Sequence, residues 1–401
     1  MQLAPELATD LPLPNPGGKV DLLIIAGEHS GDEHAAKMVE GLLREQPQLG
    51  IVALGGQHLA ASGAQVLFDL PKVSVVGFFE VVKHLRFFRH LFRATLDWIA
   101  THQPAHICFV DYPGFNLRLA KALKKRGLSR KGGGTIALYY YVAPQIWAWK
   151  PKRRFAMAAT LDRLGVIFPF ETECFADTDL PVAFVGHPFV AKDATNALAY
   201  DAAAPALLLP GSRRAAVGRI FPVLLEGFQL ARQIEPSLRA RVVYPTAALR
   251  GQLEAIASDF PELLDVIEWL PNSTARITGS RVLMSSGTYS LACALAAIPG
   301  AIVYRLHPIS YWLGKWLVKV PFIGIANILL QRAIYPEYLQ KHAQAKVLAR
   351  ALSESAKPER VVSAKSDATE LRKALLPETN TTASSWLLEG MVSQCPPDAK
   401  L

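Results

Sequence analysis

Two carboxylates of this chain each stand at the end of an apolar segment with the composition of a buried strand. Glu28 follows the segment 20–26, and Asp111 ends the segment 106–111. The carboxyl ends of parallel strands open toward a ligand crevice, so both side chains are expected to face it. A carboxylate there can remove a proton from a hydroxyl group. Asp111 is therefore the first candidate for a general base and Glu28 the second; the alternative for Asp111 is a role in the turn with Pro113.

The loop that contains Glu28 carries two further polar candidates, Ser30 and Asp32. Two acids in one short loop repel phosphate, so the loop suits sugar hydroxyls or proton transfer better. Asp32 has a structural alternative, because aspartate accepts hydrogen bonds from free N–H groups at the start of a helix. His29 and His34 do not share a helical face and have no third ligand nearby, so we predict no metal site.

A basic loop, Pro210-Gly211-Ser212-Arg213, follows the apolar segment 206–209. Glycine lets the backbone approach a ligand closely, and the N–H groups of the following helix attract an anion. Arg213 adds a permanent charge whose planar fork fits a diphosphate. Ser286-Gly287-Thr288 opens another helix in the same half of the chain and supplies a second set of N–H groups. Two anion sites in one half fit a nucleoside diphosphate.

The composition indicates a globular chain of two domains. Its 401 residues are 51% hydrophobic and 19% charged, and its formal net charge is +9. No apolar run reaches the roughly 18 residues of a transmembrane helix. The four cysteines are scattered, which fits a reducing cytosol. The glycine spacings of dinucleotide-binding loops and of P-loops are both missing, which excludes those two classes.

Basic residues alternate with bulky apolar ones in three segments, near residues 83–93, 147–154 and 312–319. This alternation is more typical of a membrane-interface surface than of a nucleic-acid groove. We therefore predict an anionic membrane surface as a partner, and no nucleic acid. The predicted membrane face comprises Phe78, Phe79, Arg86, Arg89 and Arg93. The alternative is an ordinary amphipathic helix with solvated charges.

Strand and helix patterns alternate through both halves, which predicts an α/β fold of two doubly wound, Rossmann-like domains that face a central crevice. The predicted strands are 20–26, 50–54, 106–111, 136–142, 163–168, 182–185, 206–209, 240–244, 281–284 and 301–304. The predicted helices are about 32–45, 80–102, 115–127, 150–159, 214–233, 248–257, 288–297, 308–318, 341–354, 365–376 and 385–392. The predicted parts are a flexible leader (1–19), an N-terminal domain (20–180), a C-terminal domain (181–340) and a helical tail (341–401).

A series of short motifs runs in order from about residue 20 to 350. They are Ala26–Asp32, Val76–Val81, Asp111–Asn116, Tyr141–Trp149, Phe168–Glu171, Phe184–Pro188, Leu209–Arg213, Ser286–Thr288, Tyr304 to Asn327, and Pro336–Gln340. Each motif alone is weak, but the ordered set is specific. Together they resemble the lipid-A-disaccharide synthase family, which consists of inverting glycosyltransferases of the GT-B fold.

The resemblance implies a reaction and assigns residues to it. UDP-2,3-diacylglucosamine would donate its sugar to the 6-hydroxyl of 2,3-diacylglucosamine 1-phosphate (lipid X), giving a β-1,6-linked disaccharide phosphate and UDP. Asp111 is similar to the family's essential aspartate, and Arg213 to its diphosphate-binding arginine. The expected donor-site residues are Gly211, Ser212, Arg213, Ser286, Gly287, Thr288 and Asn327, and the expected acceptor or crevice residues are Ser30, Asp32, Asn116, Gln145 and Trp147.

The same resemblance sets expectations for partners and location. It implies no cofactor and no metal. It implies an N-terminal domain that takes the acceptor at the membrane and a C-terminal domain that holds UDP. The expected location is cytoplasmic, peripheral on the inner face of the cytoplasmic membrane of a Gram-negative-type bacterium. The helical tail would pack on the N-terminal domain or be exchanged within a homodimer.

Two positions depart from the family pattern. Ala292 stands four residues after Thr288, where the family usually carries a glutamate, and Ala216 stands where it tends to carry an acid. In GT-B enzymes that glutamate commonly binds the ribose, and losing such a charge-assisted hydrogen bond costs about 1.5–3 kcal/mol of binding. Two alternatives therefore stay open: a divergent GT-B enzyme such as a UDP-N-acetylglucosamine 2-epimerase, and a non-catalytic protein that binds UDP or an acylated sugar.

Overall fold

The computed structural model describes residues 13–74, 85–191, 197–305, 321–379 and 381–393. The chain forms two compact units. Unit 1 runs to Pro188 and also includes the segment that begins at Pro377, whereas unit 2 is Phe189–Leu376. The division between the units falls at Pro188, and residues 341–401 are shared between them.

Unit 1 is built on a seven-stranded parallel sheet with the order β3-β2-β1-β4-β5-β6-β7. The strands are β1 (Leu22–Ala26), β2 (Ile51–Gly55), β3 (Gln65–Asp69), β4 (His106–Val110), β5 (Ala137–Tyr141), β6 (Arg163–Val166) and β7 (Val182–Phe184). The chain moves outward from β1 to β3 and then returns to the other side of β1 at β4. This reversal leaves a crevice at the carboxyl ends of β1 and β4.

Helices connect these strands. They are α1 (His29–Glu45), α2 (Gln57–Ala61), α3 (Leu70–Ser74), α4 (Leu85–His102), α5 (Pro113–Lys125) and α6 (Arg153–Ala158). In α1 the residues Ala35, Met38, Val39 and Leu42 form one buried face at helical spacing. The central strands β1 and β4 are buried along their whole length, as expected for strands covered on both faces.

Unit 2 repeats this plan with a six-stranded parallel sheet of order β11-β10-β9-β13-β14-β15 and a separate parallel pair, β12-β8. The strands are β8 (Leu198–Tyr200), β9 (Ala206–Leu209), β10 (Ala240–Tyr244), β11 (Ile267–Pro271), β12 (Ile277–Gly279), β13 (Val282–Ser285), β14 (Gly300–Tyr304) and β15 (Glu337–Leu339). The order reverses between β9 and β13, so the crevice of this unit lies at their carboxyl ends.

The helices of unit 2 come before the last segment of unit 1. They are α7 (Arg214–Ile234), α8 (Ala247–Ala257), α9 (Thr288–Leu295), α10 (Ile325–Leu330), α11 (Ala345–Ser355) and α12 (Pro358–Leu375). The chain then returns to unit 1 as α13 (Ala383–Val392), whose Trp386 is buried with its ring centroid 6.1 Å from that of Tyr139 on β5. The tail thus contributes helices to both units.

Every strand predicted from the sequence is present, with ends shifted by a few residues at most. The strands that were not predicted are β3, β8, β11, β12 and β15. Three of these are sheet edges and two form the separate pair, and each is short and at least partly exposed. A half-exposed edge strand needs no continuous apolar run, which explains why the pattern missed them. The predicted helix 308–318 and the start of 80–102 lie outside the described residues.

Candidate active site

The first site lies where the strand order of unit 1 reverses. Ala26 at the end of β1 pairs with Val110 at the end of β4, so the loops that carry Glu28 and Asp111 are neighbours. Glu28 is the residue that precedes α1, and its side chain is exposed. Asp111 is half-buried, and a Cβ at Gly31 in the first turn of α1 would lie 3.8 Å from the Asp111 Cβ. The structure therefore brings the two predicted acids together at one edge of the sheet.

Asp111 has the electrostatics of a proton acceptor. Burial, and to a smaller extent the negative charge of Glu28, raises the pKa of its carboxyl to about 7. A hydrogen bond from the Tyr112 backbone opposes the shift but does not cancel it. A general base works best when its pKa lies near the working pH, because it then combines basicity with a large deprotonated fraction. The geometry and this pKa favour Asp111 over Glu28.

The backbone at this loop is unusual. Asp111 and Tyr112 have φ angles of 47° and 48°, so two successive residues with side chains adopt the left-handed region. Such conformations are costly and cluster at functional sites. The Tyr112 ring lies directly over Gly27, where any side chain would collide with it. Glycine is therefore required at position 27 by a close approach of the two loops.

Asn116, expected among the acceptor residues, is fully buried in α5. Its Nδ2 lies 2.7 Å from the Asp111 carbonyl oxygen, 3.3 Å from that of Val110 and 3.2 Å from that of Ile25. The amide thus donates to backbone groups at the ends of β1 and β4. This corrects the expectation, because a side chain with no exposed surface that is committed to these carbonyls supports the loop and does not line a crevice.

Asp32 is also buried and committed to backbone groups. Its carboxylate accepts hydrogen bonds from the N–H of Gly56 at 2.6 Å and of His58 at 3.0 Å. These two N–H groups lie at the start of α2, so Asp32 caps that helix instead of its own helix α1. Asp32 does cap a helix, as one interpretation predicts, but the helix is α2 and not α1. The buried carboxylate does not line a crevice for the acceptor.

The remaining predicted residues of unit 1 differ in exposure. Ser30 is half-buried in the first turn of α1, and Gln145, on the loop after β5, is exposed. Trp147 on the same loop is half-buried, and its Nε1 donates a hydrogen bond to Glu171 Oε1 at 3.2 Å. Burial raises the pKa of Glu171 to about 7. Sequence reasoning assigned no role to Glu171, although its motif was part of the family pattern.

The second site lies where the strand order of unit 2 reverses. Gly211 follows β9 with a φ of 102°, and Arg213 immediately precedes the long helix α7. Ser212 and Arg213 are exposed. Within the residues that the structure describes, the Arg213 guanidinium makes no hydrogen bond or ion pair, whereas its backbone carbonyl accepts from the N–H groups of Ala216 and Val217. A free guanidinium beside the N-terminus of a 21-residue helix is well suited to hold an anion.

A second loop of the same unit lies beside the first. Leu209 at the end of β9 pairs with Met284 in β13, and a Cβ at Gly211 would come within 2.8 Å of Ser285 Oγ. Ser286 and Gly287 follow, and Gly287 has a φ of 151° just before α9. Thr288 is the first residue of α9, and nothing is described of its side chain. The starts of two helices therefore meet at one edge of the sheet.

Asn327, expected at the donor site, is fully buried in α10. Its Nδ2 donates to the Tyr335 carbonyl oxygen and to Glu337 Oε1, both at 2.8 Å, and its Oδ1 accepts from the Tyr335 N–H at 3.0 Å. Both amide hydrogens are used inside the unit, so Asn327 supports this segment and does not contact a ligand. Glu337 also accepts from the N–H groups of Ile323 and Gly324.

The predicted membrane face is described only in part. Arg86, Arg89 and Arg93 are exposed on α4, whereas Phe87 and Phe92 are half-buried against the core of unit 1. Phe78 and Phe79 lie outside the described residues. No helix in the described part of the chain is long and apolar enough to cross a membrane. Nor do the described residues contain a cluster of histidine, cysteine and acidic side chains that could hold a metal ion.

Comparison with known sequences covers both sites. A family model described as lipid-A-disaccharide synthetase matches residues 22–390. Lipid-A-disaccharide synthase 1 of Legionella pneumophila (strain Lens) is 36% identical over 344 residues, which cover 83% of this chain and 87% of that protein. The lipid-A-disaccharide synthase of Geobacter metallireducens is 33% identical over 347 residues, with 82% and 85% coverage.

Comparison with solved structures identifies the fold. The UDP-GlcNAc 2-epimerase of Neisseria meningitidis, bound to UDP-GlcNAc, has a TM-score of 0.55 at 9% identity and covers 93% of this chain and 99% of its own. MurG of Acinetobacter baumannii has a TM-score of 0.50 at 12% identity, with the same coverage. At these identities the likeness concerns the fold alone, and it confirms the predicted GT-B class of two Rossmann-like domains.

Proposed function

This chain belongs to the lipid-A-disaccharide synthetase family and is a glycosyltransferase of lipid A biosynthesis, and we propose that it transfers 2,3-diacylglucosamine from UDP-2,3-diacylglucosamine to lipid X. The products are the β-1,6-linked disaccharide 1-phosphate and UDP. The observation that carries the proposal is the family match over residues 22–390, which includes the acidic loops of unit 1 and the basic loops of unit 2.

On unit 1, Asp111 acts as the general base. It takes the proton of the 6-hydroxyl group as that oxygen attacks the anomeric carbon of the donor. The new bond joins the oxygen to that carbon, the bond from the carbon to the diphosphate oxygen breaks, and its electron pair leaves with UDP. Attack from the side opposite the leaving group inverts the configuration. The pKa of about 7 supports this role, because a substantial fraction of Asp111 is ionised at neutral pH.

On unit 2, the two glycine loops bind the diphosphate of UDP. Arg213 supplies the positive charge, and the first N–H groups of α7 and α9 supply hydrogen bonds. These groups also stabilise the negative charge that develops on the diphosphate as the sugar leaves. We propose that, with these groups in place, the reaction needs no metal ion or other cofactor. The family usually carries a glutamate at the position of Ala292, which is half-buried on α9. Because alanine cannot bind the ribose hydroxyls, another residue must do so.

Both proposed substrates carry acyl chains, which favours a peripheral position on a membrane. We propose that Arg86, Arg89 and Arg93 contact anionic headgroups and that Phe78 and Phe79 enter the interface. The location would then be the inner face of the cytoplasmic membrane. A homodimer that uses the C-terminal segment is a separate proposal, which sedimentation of the full chain tests.

The test is incubation of the purified full chain with both lipid substrates in detergent micelles. We expect equal amounts of UDP and disaccharide phosphate, and neither product when lipid X is omitted. Epimerised UDP-sugar without disaccharide would instead favour a 2-epimerase, the activity named for the Neisseria meningitidis structure. UDP or lipid binding without any product would favour a non-catalytic protein, the alternative that Ala292 and Ala216 keep open.

A further inference from the structure

The carbonyl group of Asp111 accepts two hydrogen bonds from buried side chains. Tyr140, in the middle of β5, donates its hydroxyl at 2.6 Å, and Asn116 donates its amide at 2.7 Å. Both donors have no exposed surface. The Asp111 N–H also donates to the Tyr141 carbonyl oxygen at 3.0 Å, which continues the pairing of β4 with β5. Both polar groups of this residue's backbone are therefore fixed from the protein interior.

These bonds explain how the loop keeps its costly backbone. Asp111 and Tyr112 both have positive φ, a conformation that residues with side chains hold only when their surroundings impose it. If the loop relaxed to negative φ, the Asp111 carbonyl would turn away. The Tyr140 hydroxyl would then be left buried without its partner, which proteins strongly avoid, and Asn116 would lose the shortest of its three hydrogen bonds. The two buried donors thus penalise the relaxed conformation.

We propose that Tyr140 and Asn116 are positioning residues that hold the Asp111 carboxylate in its half-buried place beside Glu28 by fixing its backbone carbonyl. The inference rests on the proposed role of Asp111 as base. Neither side chain touches a substrate, because both are covered on all sides. They act through the backbone turn, which sets the direction in which the Asp111 Cβ leaves the chain.

The strand itself provides a matched control. Tyr139 precedes Tyr140 on β5, so its side chain lies on the opposite face of the sheet. It is equally buried, and its hydroxyl lies 3.3 Å from His106 Nδ1 instead of the Asp111 loop. Tyr139→Phe and Tyr140→Phe therefore remove the same atom from the same strand. Only the second change removes a hydrogen bond from the Asp111 carbonyl.

The pKa of the Asp111 carboxyl depends mainly on its burial, so a measured pKa reports where the group lies. Glu28, on the loop before α1, acts on Asp111, and the charged or titratable groups that act on Tyr140 are Asp111, Arg153 in α6, Glu28 and Cys108 in β4. Burial is the main cause that raises the Asp111 pKa. A carboxylate released toward solvent loses that contribution, so its pKa falls toward the ordinary value.

The experiment compares Tyr140→Phe, Tyr139→Phe and the unchanged chain. We expect Tyr140→Phe to lower kcat about tenfold or more, to leave the Kd for UDP unchanged, and to move the rising limb of the pH–rate profile to lower pH. Tyr139→Phe should change none of these. Normal kcat and an unmoved limb in Tyr140→Phe, with only a lower melting temperature, would overturn the proposal and leave Tyr140 a purely structural residue.

A second measurement does not depend on turnover. NMR titration of the Asp111 carboxyl carbon gives its pKa directly, and we expect a lower value in Tyr140→Phe than in Tyr139→Phe. If Asp111→Asn keeps full activity, the base assignment fails, yet this titration still tests whether Tyr140 holds the carboxyl in place. An equal pKa in the two variants would refute the positioning role whatever the reaction proves to be.

Discussion

The two units share one architecture but carry opposite chemistry at the same place. In each unit the ligand edge is the point where strand order reverses, between β1 and β4 in unit 1 and between β9 and β13 in unit 2. Unit 1 has two acids there, one of them half-buried with a pKa of about 7. Unit 2 has glycines with positive φ, the starts of two helices and an exposed arginine. The topology sets where each candidate site lies, and the loop residues decide whether that edge is suited to proton transfer or to anion binding.

The strongest way to break this comparison is Asp111→Asn. We expect kcat to fall by about 10²–10⁴, the usual contribution of a general base, while the Kd for UDP stays the same because UDP binds unit 2. Steady-state kinetics and calorimetry measure the two quantities. Asp69→Asn is the matched control, since Asp69 ends β3 at the far edge of the same sheet and should keep full turnover.

The same variant has an expected effect on stability. The pKa of Asp111 is raised from 3.8 to about 7 in the folded state, so the native protein binds a proton more tightly than the unfolded chain; stability therefore falls as the pH rises between these two values, and the full penalty remains above about 7. Asp111→Asn removes that penalty and should not lower the melting temperature at pH 8. A marked loss of stability there would mean that the fall in kcat reports damage to the fold.

The next-largest effect is expected at the exposed basic surface of α4 in unit 1. Reversing Arg86, Arg89 and Arg93 to Glu should weaken binding to anionic vesicles roughly a hundredfold, because each basic residue near such a surface contributes about 1 kcal/mol. The remaining binding should become insensitive to salt, and the melting temperature should barely move. Flotation with vesicles at two salt concentrations measures this.

The control for the helix surface is a triple reversal of Arg118, Lys121 and Lys125. These residues are exposed on α5 at the same spacing as the three arginines on α4. They make no ion pair among the described residues. If both triple variants lose vesicle binding equally, net charge alone governs it and α4 is not the membrane face.

The anion-binding half of the comparison is tested by Arg213→Ala. Loss of a charge-assisted hydrogen bond should weaken UDP binding by about 1.5–3 kcal/mol, or roughly 10- to 150-fold, and added magnesium should not restore it. Arg214→Ala is the control. Arg214 is the exposed first residue of α7, and its Nε lies 3.4 Å from Gln252 Oε1. Unchanged UDP affinity in Arg213→Ala by calorimetry would remove Arg213 from the diphosphate site.

The smallest predicted effect is on the pH dependence of turnover, and it distinguishes the roles of Asp111 and Glu28 in unit 1. A base must be deprotonated to act, so kcat/KM should rise with pH through about 7 in the unchanged chain. Glu28→Gln removes the neighbouring negative charge that helps to raise the Asp111 pKa, so the rising limb should move to lower pH by a fraction of a unit. A limb that vanishes in Glu28→Gln but persists in Asp111→Asn would make Glu28 the base.

The positions of the loops at the two candidate sites could be predicted because long apolar runs mark the ends of central strands. Asp111, Glu28 and Arg213 follow such runs within one to four residues. Asn116 and Asn327 were assigned to ligands from their motifs, but each also donates a hydrogen bond to a residue outside its own motif, Ile25 on β1 and Glu337 on β15 respectively. A side chain's burial depends on such distant contacts, which no local pattern contains. Tyr140 shows the same limit, because its apolar strand gives no sign of the hydroxyl bond to Asp111.

Helix α13 has a consequence for how the protein is made. Its Trp386 fills a place in unit 1 against Tyr139 and directly over Gly165, and its carbonyl oxygen accepts a hydrogen bond from Arg163 at 3.3 Å. All of unit 2 is translated between these partners. On the ribosome, the first unit therefore emerges long before the piece that completes it. A chain released prematurely, before residue 377, would leave an open hydrophobic slot, which gives quality-control proteases a means to recognise unfinished molecules.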